Sequence, residues 1–126
     1  MSATKQMSIS MLPRYLIVHF KRFSYLSNQT TRKITKHIEF PINGLDMSHI
    51  CQEINFGENI VKDNKCIYDL YAISNHYGTL SGGHYSAFCK SIINNNFYEF
   101  DDTSIKLLEE SKIPSYAAYV LFYKLR

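Results

Sequence analysis

Short runs rich in β-branched and aromatic residues recur along the chain, and turn-forming residues separate most of them. The run at 15–23 is too short for a good helix, and the run at 33–40 alternates in polarity, which is the pattern of a β-strand. Successive strands joined by short turns favour an antiparallel meander. The strand-like runs are YLIVHFKRF at 15–23, KITKHIEF at 33–40, CIYDLYAISNHY at 66–77, HYSAFCKSI at 84–92, FYEFD at 97–101 and SYAAYVLFYKL at 115–125.

Only two segments are predicted to be helical, and both are short. The first begins at Asp46, a residue type suited to a helix N-cap, and the second covers 105–111. The run 15–23 is expected in the centre of the sheet, whereas 27–32 and 52–65 are expected to form a polar turn and a surface loop. The predicted fold class is α+β in one domain, mostly antiparallel β-sheet with one or two short helices.

The composition excludes several classes of protein. Apolar residues make up 45% of the 126 residues, too many for a disordered tail, and the net charge of +3 is too small to indicate nucleic-acid binding. The apolar runs are far shorter than a membrane span, and the start of the chain has no signal-peptide character. Three cysteines without C-x-x-C spacing, Cys51, Cys66 and Cys89, indicate free thiols in a reducing compartment, the cytoplasm or the nucleus.

His84 follows two glycines at the start of a predicted strand. The asparagine turn at 94–96 lies roughly midway between His84 and the adjacent acids Asp101 and Asp102. An antiparallel hairpin therefore returns the carboxylates to within a residue or two of His84. A carboxylate that accepts an imidazole N–H fixes the tautomer and stabilises the imidazolium, which is the base half of a nucleophilic triad. A structural or solvated His–Asp pair is the alternative interpretation.

No nucleophile for this base is identified in the sequence. Cys89 lies an odd number of residues from His84, so the two side chains face opposite sides of one strand. Ser86 shares the face of His84 but lacks the strained G-x-S-x-G turn. Cys51 and Cys66 have no recognisable pattern around them, and all three thiols are interpreted as small buried or half-buried packing residues.

Five segments carry a resemblance when they are taken in order: LPRYLIVHFKRFSY at 12–25, FP at 40–41, YDLYAISNHYGTLSGGHYSAFCK at 68–90, FYEFDD at 97–102 and AYVLFYKL at 118–125. Together they are spread over most of the length of the chain, from residue 12 to residue 125. This ordered set resembles the C-terminal half of the catalytic domain of ubiquitin-specific proteases, the papain-like cysteine deubiquitinases. The resemblance implies hydrolysis of the bond to the C-terminal glycine of ubiquitin, with ubiquitin and ubiquitinated proteins as partners and with no cofactor or catalytic metal.

The resemblance also implies roles for individual residues. His84 is the general base, Asp101 orients it, and Asp102 is the adjacent supporting acid. The loop at 78–83 resembles the segment that moves aside for the C-terminal tail of ubiquitin. The residues implied to bind that tail are Phe23, Tyr25, His76, Gly82, Gly83 and Tyr85.

Two motifs of the family have no counterpart here, the G-N-T-C type box with the catalytic cysteine and the zinc-binding C-x-x-C pairs. We therefore expect residues 1–126 to be the palm part of the catalytic domain, without the thumb and fingers. Such a chain is expected to be inactive until joined to the missing N-terminal half, and to expose an apolar or aromatic patch around His84. A catalytically inactive ubiquitin-binding or scaffolding module is the alternative. Binding to nucleic acid or to a membrane is not expected.

Overall fold

The computed structural model describes residues 1–5, 7, 9, 11–25, 31–50 and 66–126. Within these ranges the regular secondary structure is almost entirely β-strand, which confirms the predicted fold class. The elements are β1 (Tyr15–His19), β2 (Phe23–Tyr25), β3 (Thr31–Lys33), β4 (Leu45–Asp46), β5 (Ile67–Gly78), β6 (Gly83–Lys90), β7 (Phe97–Asp101), β8 (Ser104–Leu108), a 3-10 helix (Glu110–Lys112) and β9 (Ala118–Leu125).

Seven of the strands form one antiparallel sheet in the order β1-β9-β5-β6-β7-β8, with β4 paired to the start of β5. Strands β5 to β8 form the predicted meander. The final strand departs from it, because β9 lies between β1 and β5. The prediction that the run 15–23 is a central strand is wrong, since β1 pairs only with β9 among the described strands and lies at the edge of their sheet.

The run 15–23 is also interrupted, and Arg22 explains where. Its side chain is only 1% exposed, and its guanidinium donates to the carbonyls of Ala118 (2.6 Å), Ile34 (3.0 Å) and Lys36 (2.9 Å). Acceptors for Nε and Nη1 offset the cost of burying this cation, while Nη2 has no hydrogen-bond partner among the described residues. The chain therefore leaves β1 after His19 and turns so that Arg22 points inward, and the short hairpin of β2 and β3 follows.

The hydrophobic core lies on one face of the large sheet. It is formed mainly by fully buried side chains of β5, β6, β7 and β9, and each large one contributes about 1.5–3 kcal/mol on burial. Two tyrosine hydroxyls secure the segments that cover it. Tyr68 donates to the carbonyl of Pro13 (2.5 Å) and Tyr123 to that of Pro41 (2.7 Å). The large buried apolar side chains include Tyr68, Leu70, Ile73, Phe88, Phe97, Leu121 and Tyr123.

Several local predictions fail at polar segments. Asp46 does not begin a helix; its carboxylate accepts the backbone N–H of Ser48 (2.8 Å) in a turn after β4. Most of 105–111 belongs to β8, and only the 3-10 helix is helical. The return strand expected at 33–40 ends at Lys33, where β3 ends. The loop predicted at 52–65 and most of the turn predicted at 27–32 lie outside the described residues. Within the described ranges, no helix has the length and apolar character needed to cross a membrane.

Candidate active site

The hairpins of the meander place His84 beside Asp101. In β6, His84 pairs with Tyr77 of β5, and Ala87 pairs with Phe100 of β7, so Asp101 at the end of β7 follows the same register. His84 Nε2 lies 2.5 Å from Asp101 Oδ1, and the two side chains are 46% and 43% exposed. The contact expected from the hairpin is therefore present.

The contact determines the electrostatics of the imidazole. The Nε2–H group donates to the Asp101 carboxylate, and this bond together with the negative charge raises the pKa of His84, with a smaller contribution from Asp102. Because Nε2 is engaged, Nδ1 is the ring nitrogen that remains to accept a proton. Asp102 has a left-handed backbone, φ 48°, in the two-residue turn between β7 and β8.

His84, Asp101 and Asp102 are also the one group of three in the described residues whose ligand-type atoms lie close enough to hold a metal ion. One such atom from each lies within 4.8 Å of the others. A cation that used Nε2 and Oδ1 would have to displace the 2.5 Å hydrogen bond. Oxygen and imidazole donors of this kind suit many divalent metals, so the donor set does not select one.

Neither described cysteine lies near His84. Cys89 is five residues from His84 along β6, which at about 3.4 Å per residue places it about 17 Å away. The odd separation also places the two side chains on opposite faces of the strand. Burial raises the pKa of the Cys89 thiol, which makes it a poor nucleophile. Cys66 precedes β5, about 35 Å from the end of β5 that pairs with His84. Cys51 lies outside the described residues.

A second cluster of rings lies on the other face of β5 and β6. His76 pairs with Tyr85, and their ring centroids are 4.8 Å apart. Phe23 packs edge-on against His76 at 5.4 Å and against Tyr119 at 5.9 Å. Alternation along β6 therefore places Tyr85 and His84 on opposite faces. We call His76, Phe23, Tyr85 and Tyr119 the aromatic cluster.

His76 is buried within the aromatic cluster and stays neutral. Its side chain is almost inaccessible, and burial, reinforced by the nearby Lys33, lowers its pKa. Nδ1 of His76 has no hydrogen-bond partner among the described residues. The ammonium of Lys33 donates to the His76 backbone carbonyl (2.8 Å), which anchors the hairpin of β2 and β3 to β5.

The remaining predicted tail-binding residues differ in their surroundings. Tyr25 is 77% exposed near the end of its hairpin and has no ring contact in the described part of the chain. Gly82 is open on its Cβ side, whereas Gly83 packs directly against His76. The turn between them and β5 is closed by hydrogen bonds from the N–H and the hydroxyl of Thr79 to the Gly82 carbonyl, at 2.9 and 3.1 Å.

Sequence reasoning missed Tyr119 and Lys33. Tyr119 lies in the strand-like run 115–125, but alternation alone does not reveal that β9 lies beside β5, which brings it within 5.7 Å of the His76 ring. Two exposed aromatic side chains lie close to His84 along the chain or in the fold, on different faces of the sheet. Tyr85 is exposed on the far face, and Tyr116 is exposed beside Tyr77, which adjoins His84.

Known proteins are similar to this chain in sequence and in fold. Residues 2–123 match the family described as ubiquitin carboxyl-terminal hydrolase. Ubiquitin carboxyl-terminal hydrolase 15 of Homo sapiens is 46% identical over 122 residues, and ubiquitin carboxyl-terminal hydrolase 9 of Arabidopsis thaliana is 43% identical over 122 residues. Each alignment covers 97% of this chain but 12% of the relative. The chain thus spans about one eighth of the length of these relatives.

Solved structures give the same result. A Ubp8–Sgf11–Sgf73–Sus1 SAGA DUB module superimposes with a TM-score of 0.80 at 34% identity, covering 94% of this chain and 25% of the other. A Ubp8 module bound to ubiquitin aldehyde superimposes with a TM-score of 0.75 at 34% identity, covering 91% of this chain and 25% of the other. On the family match over nearly its whole length, the chain belongs to the ubiquitin carboxyl-terminal hydrolase family.

Proposed function

We propose that this chain provides the general base and its orienting carboxylate to a cysteine-type deubiquitinase, which releases ubiquitin from protein conjugates. The observation that carries the proposal is the 2.5 Å contact between His84 Nε2 and Asp101 Oδ1 in a chain of this family. The proposed roles are general base for His84, orienting acid for Asp101 and supporting acid for Asp102. The chemistry is that of a cysteine nucleophile, and it calls for no cofactor.

In the proposed reaction, Nδ1 of His84 accepts the proton of a cysteine thiol, and the thiolate attacks the carbonyl carbon of the last glycine of ubiquitin. The C–S bond forms, the C–N bond breaks, and the imidazolium returns the proton to the leaving amine. Water then attacks the thioester, again with His84 as base, and the C–S bond breaks to regenerate the thiol. Acid–base catalysis of this kind contributes about 100- to 10,000-fold. Asp101 stabilises the imidazolium between these steps.

The aromatic cluster is the proposed contact for the tail of ubiquitin, with Gly82 and Gly83 in the adjacent turn and Tyr25 at the hairpin of β2 and β3. Support comes from the exposed ring of Tyr85, which rests on the buried ring of His76. A related structure with a TM-score of 0.75 is bound to ubiquitin aldehyde. Because Tyr85 and His84 face opposite sides of β6, a tail that contacts both crosses the sheet near the turn between β5 and β6.

The cysteine of the proposed enzyme comes from outside the described residues. Cys66 and Cys89 are both too far from His84 to reach it. We therefore propose that residues 1–126 are the palm part of a catalytic domain whose thumb carries the nucleophile, and that the protein acts in the cytoplasm or the nucleus. A non-catalytic ubiquitin-binding module is the competing proposal, and the contact between His84 and Asp101 speaks against it.

The test compares two histidine variants in a protein that joins this chain to a thumb carrying the family's cysteine box. His37 is a matched control, because its Nε2 also lies 2.6 Å from a carboxylate, that of Glu39, but outside the candidate site. Turnover of a ubiquitin C-terminal fluorogenic substrate is expected to fall about 100-fold or more in His84→Ala and to be unchanged in His37→Ala. Equal turnover in the parent and in His84→Ala would show that the assigned base is wrong. Ubiquitin binding without turnover in the parent would favour the non-catalytic module.

A further inference from the structure

An open groove of about 820 Å³ lies at the end of the sheet that is distant from His84. It is formed where the chain enters β1, where β6 ends, where β5 begins and where β9 ends. Lys90, at the end of β6, lines the groove and is six residues from His84, so the two sites are about 20 Å apart along the strand. A ligand in the groove would therefore not contact the candidate active site.

The groove is strongly cationic. Four of its lining residues have cationic side chains, Arg14, Lys90, Lys124 and Arg126, and one has an acidic side chain, Asp69. A groove lined by an excess of cationic side chains raises the local concentration of anionic ligands. The groove therefore has a local excess of positive charge, which distinguishes it from a surface of mixed charge.

The single carboxylate does not neutralise this charge. Arg126 donates from Nε to Asp69 Oδ2 (2.8 Å) and from Nη2 to Asp69 Oδ1 (2.9 Å), a bidentate pair, and Asp69 also accepts the N–H of Gly44. The bond from Arg126 keeps the pKa of Asp69 below its usual value, so Asp69 remains ionised. No ion pair is formed by Arg14, Lys90 or Lys124 within the described ranges.

The shape and the apolar lining of the groove favour a peptide over a single small anion. Leu12, Tyr71 and Leu125 are apolar or aromatic side chains that also line it, and the fully buried Leu70 lies beneath them. A volume of several hundred Å³ that combines apolar walls with a few charged groups is typical of sites for organic ligands of substantial size. A site that follows a nucleic-acid backbone usually has a long stripe of basic side chains. The groove has only three cationic side chains without an ion-pair partner among the described residues, which favours a shorter ligand.

We propose that this groove binds a short acidic peptide segment of a partner protein, with carboxylates paired to Arg14, Lys90 and Lys124 and an apolar side chain between them. The site is separate from the proposed hydrolase chemistry. Binding is expected to weaken as ionic strength rises from about 0.05 M to 0.5 M, because the pairs are exposed and the screening length shortens to a few Å.

The test measures fluorescence anisotropy of a labelled ten-residue peptide of Glu and Asp with two Leu residues. A second peptide has the same sequence with every acid replaced by its amide. The two groove variants are Lys124→Glu and Arg14→Glu. The control variant is Lys106→Glu on β8, because it changes the charge in the same way on an exposed residue outside the groove. The acidic peptide should bind the parent chain, and each groove variant should weaken binding about fivefold or more, given up to about 1 kcal/mol per exposed pair and added repulsion.

Four results would overturn the proposal: no binding of the acidic peptide, equal binding of the amide peptide, an equal loss in Lys106→Glu, or tighter binding of a single-stranded oligonucleotide that Lys124→Glu abolishes. The last result would identify a nucleic-acid site instead. Circular dichroism of each variant verifies that the chain is folded. The outcome does not depend on turnover, so this experiment tests the groove independently of the proposed hydrolase function.

Discussion

Substitution of Gly83 by alanine tests how tightly the β5–β6 turn is packed against the aromatic cluster. A Cβ added to Gly83 would lie 2.4 Å from His76 Nε2 and 2.6 Å from the carbonyl oxygen of Tyr77. Neither atom can move freely, because the His76 ring is buried among other rings and Tyr77 pairs with His84. At Gly82, by contrast, nothing lies within 4 Å of an added Cβ.

The expected magnitude follows from these contacts. Forcing an extra methyl into a packed site costs about 1–3 kcal/mol, and two rigid contacts place Gly83→Ala in the upper part of that range. Alanine also reduces the entropy of the unfolded chain, which returns about 0.4–1 kcal/mol. We therefore expect a net loss of about 2 kcal/mol for Gly83→Ala. Gly82→Ala should be neutral or stabilising by up to about 1 kcal/mol, because Gly82 is not among the glycines with positive φ.

Urea unfolding monitored by circular dichroism measures both variants. The midpoint for Gly83→Ala should fall while the slope of free energy against urea stays unchanged, because only the native state is strained. Thermal unfolding should show a decrease of roughly 8 °C, at about 4 °C per kcal/mol for a chain of this size. If Gly83→Ala unfolds at the parental midpoint, or if Gly82→Ala is destabilised as much, the inferred clash is wrong.

Two further predictions concern buried and paired charges. Asp101→Asn should lower the pKa of His84, measured by NMR titration of its ring, and Asp102→Asn should lower it less, because the hydrogen bond from His84 goes to Asp101. Because this bond raises the pKa of His84, it contributes stability that is fully present below the unfolded-state pKa of about 6.5. That contribution is lost as the pH rises through the pKa of His84 in the folded chain. An unaltered pKa of His84 in Asp101→Asn would contradict the pairing. Arg22→Met leaves the carbonyls of Ala118, Ile34 and Lys36 without this donor and should cost about 3 kcal/mol in urea unfolding, because the first is buried and the other two are partly buried. A loss below about 1 kcal/mol would show that Arg22 does not hold these segments.

The two clusters of this chain share one strand but face opposite sides of it. His84 contacts Asp101 on one face, and Tyr85, the next residue, contacts His76 on the other. A distortion of β6 therefore affects both clusters together, so the strain predicted for Gly83→Ala should also be visible in the ring resonances of His84. This coupling rests on the two-residue period of a strand.

The strands of the meander could be predicted because their signals are local. Local alternation depends only on neighbouring residues, and it correctly predicted β5 from the run 66–77 and β7 from the run 97–101. The turn predicted at 94–96 lies between β6 and β7. Failures came where a polar residue satisfies more than one local pattern. Asp46 suits both a helix N-cap and a turn, and its side chain accepts the N–H of Ser48 in a turn.

The amino-acid sequence by itself determined the β-rich character, the hairpin that joins His84 to Asp101, and the family resemblance, because each depends on residues close together along the chain or on their order. Tertiary structure alone decided that β9 lies between β1 and β5 and that Tyr119 joins the aromatic cluster. It also decided that Arg22 is buried and donates to the carbonyl of Ala118. These contacts join residues from about 40 to about 110 positions apart. Local alternation carries no information about such partners, since they are selected by the free energy of burying one shared core.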